Sequence, residues 1–387
     1  MNSGVRSAVT VIVAASVVST IGDLPFNALP LLLGSLAEGF HLSPQVLGFI
    51  GSTCFAGYLA GTLAAPLWIN RFNWRVVAAG AALLTAASFA VAARIQMVAW
   101  LYPVWAAIGF FSATLTCLGM RVLADLPNKV RAYGVRQGIE LAITALVLFV
   151  LPPLIIAVWH YPGAAFALAG VVLLLGLSAR WVPAKALAEV ASTGHDRRWP
   201  TRAAVVLLAV YLVFLTGNIG LWAFLERMGN AQHVTAEQMG LLFAVLKLLG
   251  GVAAFSVAGL GERLGERLPH LLVFIGIGAG VLLLASHGGF TIFALGAWLW
   301  DLSFTCGAVF QTAAIARSDA SGRGVMLVPA VFAASSMIGP GFAGTLVQGG
   351  GFGVLLMLVA AASVVPLIFY GLGLADGTQR HYVPGRT

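Results

Sequence analysis

The chain has 387 residues, of which 60% are hydrophobic and only 9% charged. Its mean hydropathy of +0.97 is higher than a soluble globular domain can keep in water, so the composition excludes that class and predicts an integral membrane protein. The net charge of +8 reflects the collection of basic residues on one side of a membrane and gives no support to nucleic-acid binding.

Apolar runs long enough to cross a membrane follow one another along the chain. Spanning ~30 Å of hydrocarbon as a helix takes about 20 apolar residues. We therefore expect an all-α membrane protein with twelve transmembrane helices. The runs are predicted at residues 8–33, 45–69, 76–94, 98–121, 134–157, 163–181, 203–227, 238–260, 269–286, 290–315, 324–347 and 352–375.

The distribution of positive charge predicts the orientation of these spans. Lysine and arginine collect in the cytoplasmic loops of membrane proteins. If the N-terminus is inside, only Arg94 and Arg227 lie on the outer side, and Lys247 lies within a span. The remaining basic residues then lie on the cytoplasmic side. This asymmetry predicts that both termini are cytoplasmic.

The first span carries a carboxylate, Asp23, at a depth where a charge costs at least ~2.5 kcal/mol. At 3.6 residues per turn, other polar residues share its side of the helix. Such a polar stripe is expected to face a water-filled cavity rather than lipid. Because no cation for Asp23 is evident in the sequence, we predict that it binds the coupling proton. The stripe consists of Ser16, Ser19, Thr20, Asp23 and Asn27.

The fourth and fifth spans add further polar positions. Trp105 shares a face of the fourth span with Ser112 and Thr116, and we predict that Trp105 contacts substrate. In the fifth span Arg136 and Glu140 are spaced i, i+4 and can pair along the helix. Because Glu140 is only about two turns from the cytoplasmic end, we favour a stabilising pair at the gate over a substrate contact. Glu140 is also a candidate for proton coupling.

The longest hydrophilic stretch, residues 183–202, divides the spans six and six. We predict an N-terminal six-helix bundle over residues 1–182, a cytoplasmic linker over 183–202 and a C-terminal six-helix bundle over 203–387. Two motifs recur between the halves at nearly the same offset, which favours a pseudo-symmetric repeat over chance similarity of glycine-rich helices. In the first motif, Gly22, Asp23 and Gly34 correspond to Gly217, Asn218 and Gly229. In the second motif, NRFNWR (70–75) corresponds to ERLGER (262–267).

In the second half, polar and aromatic residues again share helix faces in the seventh and tenth spans. A few convergent polar groups between apolar walls are typical of small-molecule sites, although packing or interface anchoring is the alternative for the aromatic residues. The predicted substrate-binding residues of both halves are Asp23, Asn27, Trp105, Tyr211, Asn218, Trp222, Lys247, Trp298 and Asp301.

Lys247 lies near the middle of the eighth span, about ten residues from either end, so its ammonium group cannot easily reach water. We predict that it pairs with Asp301. A static ion pair that only fixes helix packing is the alternative. Intramembrane charges are usually functional, so Asp301 is also a candidate for proton coupling.

The loops after the second span of each half carry the motif on which a family resemblance rests. In GLGERLGER (259–267) the motif residues are Glu262, Arg263, Gly265 and Arg267, whereas GTLAAPLWINRFNWR (61–75) keeps Gly61, Arg71 and Arg75 and has Asn70 in the acidic place. Together with twelve spans and a basic central loop, this pattern resembles the major facilitator superfamily. The resemblance implies that spans one, four, seven and ten line a central cavity. It also implies a bacterial inner-membrane location and a gating role for these loops. With Arg136, the predicted gating residues are Asn70, Arg71, Arg75, Arg136, Glu262, Arg263 and Arg267.

Together these features predict a secondary active transporter that moves a small organic solute by alternating access. Proton-coupled efflux is our first expectation and uptake by proton symport is the alternative. A membrane sensor built on a transporter fold is the alternative from another class. No Walker loop, catalytic triad or metal cluster is evident, so we expect neither enzymatic activity nor a cofactor. The expected partners are the solute, protons and the bilayer, and we expect a monomer.

Overall fold

The computed structural model describes residues 3–126, 129–185, 201–260, 267–318, 324 and 327–371, and these residues contain helices but no strand. Because the apolar runs satisfy their backbone polar groups within each helix, they are suited to hydrocarbon. The α-helices are α1 (Ser3–Asn27), α2 (Leu29–Phe40), α3 (Pro44–Trp68), α4 (Trp74–Ala92), α5 (Val98–Ala124), α6 (Lys129–Val150), α7 (Ala157–Gly176), α8 (Arg202–Ala231), α9 (Ala236–Leu260), α10 (Arg267–Ala285), α11 (Gly289–Ser318) and α12 (Val328–Gly371).

The described residues contain ten helical segments that are long and apolar enough to cross a membrane. Two of them, Ala132–Trp181 with 50 residues and Val328–Tyr370 with 43 residues, are each about twice the length that one crossing requires. Each is interrupted by one residue with a non-helical backbone, His160 in the first and Gly351 in the second. Counting both as pairs gives twelve crossings, so the predicted all-α, twelve-span class is confirmed.

The first predicted span, residues 8–33, consists of two helices rather than one. Helix α1 ends at Asn27 and α2 begins at Leu29, with Ala28 between them at φ −87° and ψ −2°. Pro30 lies in the first turn of α2, where its missing N–H costs no helical hydrogen bond. The polar stripe therefore ends where α1 ends.

The chain divides into two compact units. Unit 1 comprises Met1–Thr193 with Thr235–Leu248, and unit 2 comprises Gly194–Val234 with Leu249–Thr387. The first part of α9 therefore belongs to unit 1. There Gly240 packs so closely on the C-terminal end of α6 and the residues after it that an added Cβ would lie 2.8 Å from the Phe149 carbonyl oxygen and 3.4 Å from the Pro153 ring.

Within unit 1, α3 packs along α5, and α1 packs against α5 and α6. Glycines permit the closest approaches: a Cβ on Gly57 would overlap the backbone of Ala106, and one on Gly109 would overlap the Cys54 carbonyl. Within unit 2, α8 packs along α12, and α10 packs along α11. Small residues at such crossings let helix backbones approach in the absence of a hydrophobic driving force.

The turn between the fifth and sixth crossings holds His160 in a backbone conformation that favours glycine. Its φ of 52° and ψ of −151° lie close to those of Gly351, at 72° and −174°, which occupies the corresponding turn of unit 2. A side chain in this region strains the backbone by about 1–3 kcal/mol.

We expect His160→Gly to raise the thermal unfolding temperature of the purified protein, with a gain of about 1 kcal/mol after the greater unfolded-state entropy of glycine is subtracted. His41→Gly is the matched control. His41 also has a positive φ, but its φ of 52° and ψ of 41° lie in the milder left-handed helical region. A gain at residue 41 equal to or larger than that at residue 160 would contradict the assignment of strain to His160.

Candidate functional site

Unit 1 contains a cluster of three charged side chains, Asp23, Arg136 and Glu140, which we call the charge cluster. The Arg136 guanidinium donates to Asp23 Oδ2 at 2.5 Å and lies 3.1 Å from Glu140 Oε2. The three side chains are 14–17% exposed. One cation therefore serves two carboxyl groups, and the cluster carries one excess negative charge when all three groups are ionised.

Hydroxyl groups from α1, α3 and α5 surround the charge cluster. Arg136 Nε donates to Ser19 Oγ at 2.8 Å, and Thr116 Oγ1 donates to Asp23 Oδ1 at 3.2 Å. Tyr58 of α3 interacts with both Thr116 and Asp23. Charge-assisted hydrogen bonds of this kind offset part of the cost of keeping ions away from water.

The local sequence explains how α1 and α5 come close enough to form this site. A Cβ on Gly22 would overlap the Thr116 hydroxyl and the Ser112 carbonyl, and one on Gly119 would lie 2.7 Å from Ser19 Cβ. Glycine at both positions therefore brings Asp23 within hydrogen-bond distance of Thr116.

The structure corrects the expectation that Asp23 has no cation of its own, because Arg136 pairs with it. The predicted i, i+4 pair between Arg136 and Glu140 is present, but it is joined to α1 rather than confined to α6. The remaining hydroxyls of the polar stripe are buried, and Ser16 and Thr20 donate to carbonyls one turn earlier in α1.

In unit 2 the position corresponding to Asp23 is Asn218, which is fully buried and makes neutral hydrogen bonds. Asn218 Nδ2 donates to the Phe214 carbonyl at 2.8 Å, and Trp300 Nε1 donates to Asn218 Oδ1 at 2.8 Å. Sequence reasoning selected Trp298 and missed Trp300. Trp298 is half-buried, whereas Trp300 is completely buried and stacks on Phe304 at 6.1 Å.

The other predicted substrate contacts have different surroundings. Trp105 is 1% exposed and donates to the Tyr161 hydroxyl at 3.2 Å within unit 1. Asp301 is 8% exposed and lies beside Gly250. Lys247 belongs to unit 1 and Asp301 to unit 2, so their predicted pairing stays a prediction. Three further predicted contacts are buried: Asn27, Tyr211 and Trp222.

The predicted gating loop of unit 1 is tied to the end of the sixth crossing. Asn70 and Arg71 are exposed. Arg75 Nε donates to the Val182 carbonyl at 2.6 Å, and the Trp74 backbone N–H donates to the Ala184 carbonyl at 2.9 Å. The loop therefore holds the chain just after the sixth crossing. In the second half, Glu262 and Arg263 lie outside the described residues, as does the side chain of Arg267.

We expect Arg75→Ala to lower the free energy of unfolding by about 1 kcal/mol, because the Val182 carbonyl loses a charge-assisted donor near the surface. Arg71→Ala is the matched control: it removes an exposed arginine from the same turn and should change stability by less than about 0.5 kcal/mol. Thermal unfolding of both variants in one detergent tests the difference. Equal effects would contradict an anchoring role for Arg75.

No cluster of three or more histidine, cysteine, aspartate or glutamate side chains suited to a metal ion is found in the part of the chain that the structure describes. Asp23, Arg136 and Glu140 instead form a small ion network. A carboxylate that shares its cation with a second carboxylate can be neutralised by a proton without leaving the arginine unpaired.

Two helical units, twelve helical crossings and charged side chains within those crossings define a multi-pass integral membrane protein. Residues 11–325 match the Major Facilitator Superfamily, and the chain belongs to that family. The resemblance inferred from the loop motifs is thereby confirmed. Comparison with curated protein sequences gives no significant match.

Solved structures with the same fold share little sequence with this chain. The nucleoside transporter NupG has a TM-score of 0.75 at 12% identity, covering 94% of this chain and 99% of that one. A bacterial homologue of the human lysosomal transporter Spinster has a TM-score of 0.73 at 14% identity, covering both chains completely. The D-xylose-proton symporter has a TM-score of 0.68 at 14% identity, covering 93% and 97%. At these identities the similarity describes the fold.

Proposed function

We propose that this protein is a proton-coupled secondary transporter of a small organic solute that works by alternating access. The observation that carries the proposal is the charge cluster, in which one arginine serves two carboxylates within the membrane-spanning part of unit 1. Ionised groups in such a position are costly and are usually functional. The structural similarity to a D-xylose-proton symporter also supports proton coupling.

In this mechanism Asp23 binds and releases the coupling proton. Protonation removes the negative charge of Asp23 and weakens its bond to Arg136. Arg136 keeps Glu140 as its partner, because both residues are on α6. The proton therefore loosens a contact between α1 and α6 without leaving a buried cation unpaired. Glu140 is the second group of this unit through which proton binding is coupled to movement.

Unit 2 supplies neutral and acidic groups suited to solute binding. Asp301 and Trp298 of α11 are the proposed contacts, because a carboxylate and a half-buried indole can recognise a hydroxylated or cationic solute. Asn218 already uses both ends of its amide within unit 2, so it supports Trp300 rather than the solute.

Counterflow in proteoliposomes tests the transport function. A panel of radiolabelled D-xylose, uridine and tetraphenylphosphonium covers sugar, nucleoside and lipophilic-cation chemistry. Exchange of at least one labelled solute without a pH gradient, together with net flux that requires the gradient, is expected. Inertness toward the panel and toward wider solute sets would favour the sensor alternative.

Asp23→Asn tests the proton site. The variant should lose proton-driven net flux but retain exchange, because the neutral amide mimics the protonated carboxyl group. Glu38→Gln is the matched control, since Glu38 lies at the outer end of α2, away from the charge cluster. If driven flux survives in Asp23→Asn, the proton site is elsewhere.

The direction of transport has two candidates. Efflux by proton antiport is proposed first, since a compact chain with short loops is typical of exporters in this family. Uptake by proton symport is the second candidate and is favoured by the similarity to the D-xylose-proton symporter. An acidic vesicle interior should drive solute inward in the antiport case, and an acidic exterior should do so in the symport case.

A further inference from the structure

We propose that Thr116 is a positioning residue whose hydroxyl stabilises Asp23 in both of its protonation states. The inference rests on the proposed function, because it assumes that Asp23 gains and loses a proton. It concerns α5, which contributes no charge to the cluster but contacts its central carboxylate.

The Thr116 hydroxyl lies between two acceptors. Its Oγ1 is 3.2 Å from Asp23 Oδ1 and 3.5 Å from the Ser112 carbonyl oxygen in its own helix. A hydroxyl has one proton to donate and lone pairs with which to accept. The Thr116 hydroxyl can therefore donate a full hydrogen bond to only one of these two oxygens at a time.

The two protonation states of Asp23 use this hydroxyl in opposite directions. When Asp23 is ionised, Thr116 donates to the carboxylate. When Asp23 is protonated, its new O–H donates to Thr116 Oγ1, and the Thr116 proton turns to the Ser112 carbonyl. Thr116 and Asp23 therefore share a hydrogen bond in both states, whereas an unpaired buried polar group would be costly.

The close approach of α1 and α5 makes this arrangement specific to threonine or serine. A Cβ on Gly22 would overlap Thr116 Oγ1, so the hydroxyl lies directly against the α1 backbone one residue before Asp23. A larger side chain at residue 116 has no room, and an apolar one of the same shape offers neither donor nor acceptor.

Other titratable groups face Asp23 from the helices packed around it. Arg136 and Glu140 face it from α6, Tyr58 from α3 and Cys117 from α5. Arg136 bonds to the ionised form of Asp23 and has no acceptor for a carboxylic acid proton. Thr116 is distinguished from Arg136 because its hydroxyl can both donate and accept.

Infrared difference spectroscopy of the purified protein during a pH titration tests the inference, with the proton as the only ligand. The bands lost in Asp23→Asn identify the carboxylic acid and carboxylate stretches of Asp23. In Thr116→Val both bands should shift, and the acid C=O stretch should move to higher wavenumber because its hydroxyl partner is gone. Thr116→Ser should restore both wild-type positions.

Thr114→Val is the matched control, because Thr114 is on the same helix and its hydroxyl donates to the Phe110 carbonyl. Thr116→Ala repeats the test if the valine variant folds poorly. Unshifted bands in both hydroxyl-free variants would overturn the role of Thr116, as would a shift of the carboxylate band alone. If Asp23→Asn removes no pH-dependent band and driven flux persists, the proposed function fails instead.

Discussion

Replacing Arg136 by leucine should lower the free energy of unfolding by about 3 kcal/mol and abolish proton-driven flux. The substitution leaves Asp23 and Glu140 without their shared cation, and both are less than one-fifth exposed. Removing one partner of a buried ion pair costs about 3–5 kcal/mol, and the partial exposure here favours the lower end of that range. Thermal and chemical unfolding of the purified protein measure the loss.

The loss in Arg136→Leu should come from the two carboxyl groups that are left without their shared cation. The triple variant Asp23→Asn, Arg136→Leu, Glu140→Gln removes all three charges and should recover most of the stability without recovering driven flux.

Arg94→Leu is the matched control for the loss of an arginine. Arg94 is exposed and lies 5.7 Å from the centre of the Phe166 ring. An exposed cation–π contact of this kind contributes about 0.5–1 kcal/mol. A loss in Arg136→Leu no larger than in Arg94→Leu would contradict the charge cluster as a stabilising network.

The fold was largely predictable from the sequence because the membrane leaves few choices. Hydrocarbon requires long apolar helices, and the predicted runs at 45–69 and 76–94 differ from α3 and α4 by at most two residues at each end. The sequence also separated the two pairs of crossings that are joined by short turns, since His160 and Gly351 lie within the breaks predicted between spans. The break at Ala28 was missed because the residues from Ala28 to Leu33 are all apolar, so no polar segment separates α1 from α2.

The candidate site was predictable only in part, because contacts between helices leave little trace in one sequence. Asp23 and Arg136 are 113 positions apart, and helical periodicity identifies a polar face without naming the helix that it meets. The i, i+4 spacing of Arg136 and Glu140 was visible because that pair is local. The position of Arg136 within the fifth predicted span was a signal that it contacts another helix. From the sequence, Arg136 was assigned to the gate instead.

The choice between Trp298 and Trp300 illustrates the same limit. Trp298 shares a helix face with Asp301 and Thr305, so polar neighbours favoured it. Trp300 shares its face with Phe304 and Gly307, and this face packs on Phe214 of α8. The glycine seven residues after Trp300 was the available signal of close helix packing, but glycine-rich helices carry many such spacings.

Glycines of this chain should differ sharply in their response to one added methyl group. Gly109→Ala should lower the free energy of unfolding by about 2–3 kcal/mol, because the new Cβ would overlap the Cys54 carbonyl and lie 2.9 Å from the Tyr58 backbone nitrogen. These are backbone atoms and cannot rotate away. Helices α3 and α5 must therefore separate along their whole contact.

Gly170→Ala is the opposite case and the matched control. Gly170 lies in α7, is exposed and would place its Cβ in open space. Alanine is favoured over glycine within a helix by about 0.8–1 kcal/mol, so this variant should be more stable than the wild type. Thermal unfolding of both variants in the same detergent measures the contrast. Both substitutions add the same methyl group, so effects of the same sign would contradict the close crossing of α3 and α5. The placement of Tyr58 beside Thr116 depends on that crossing.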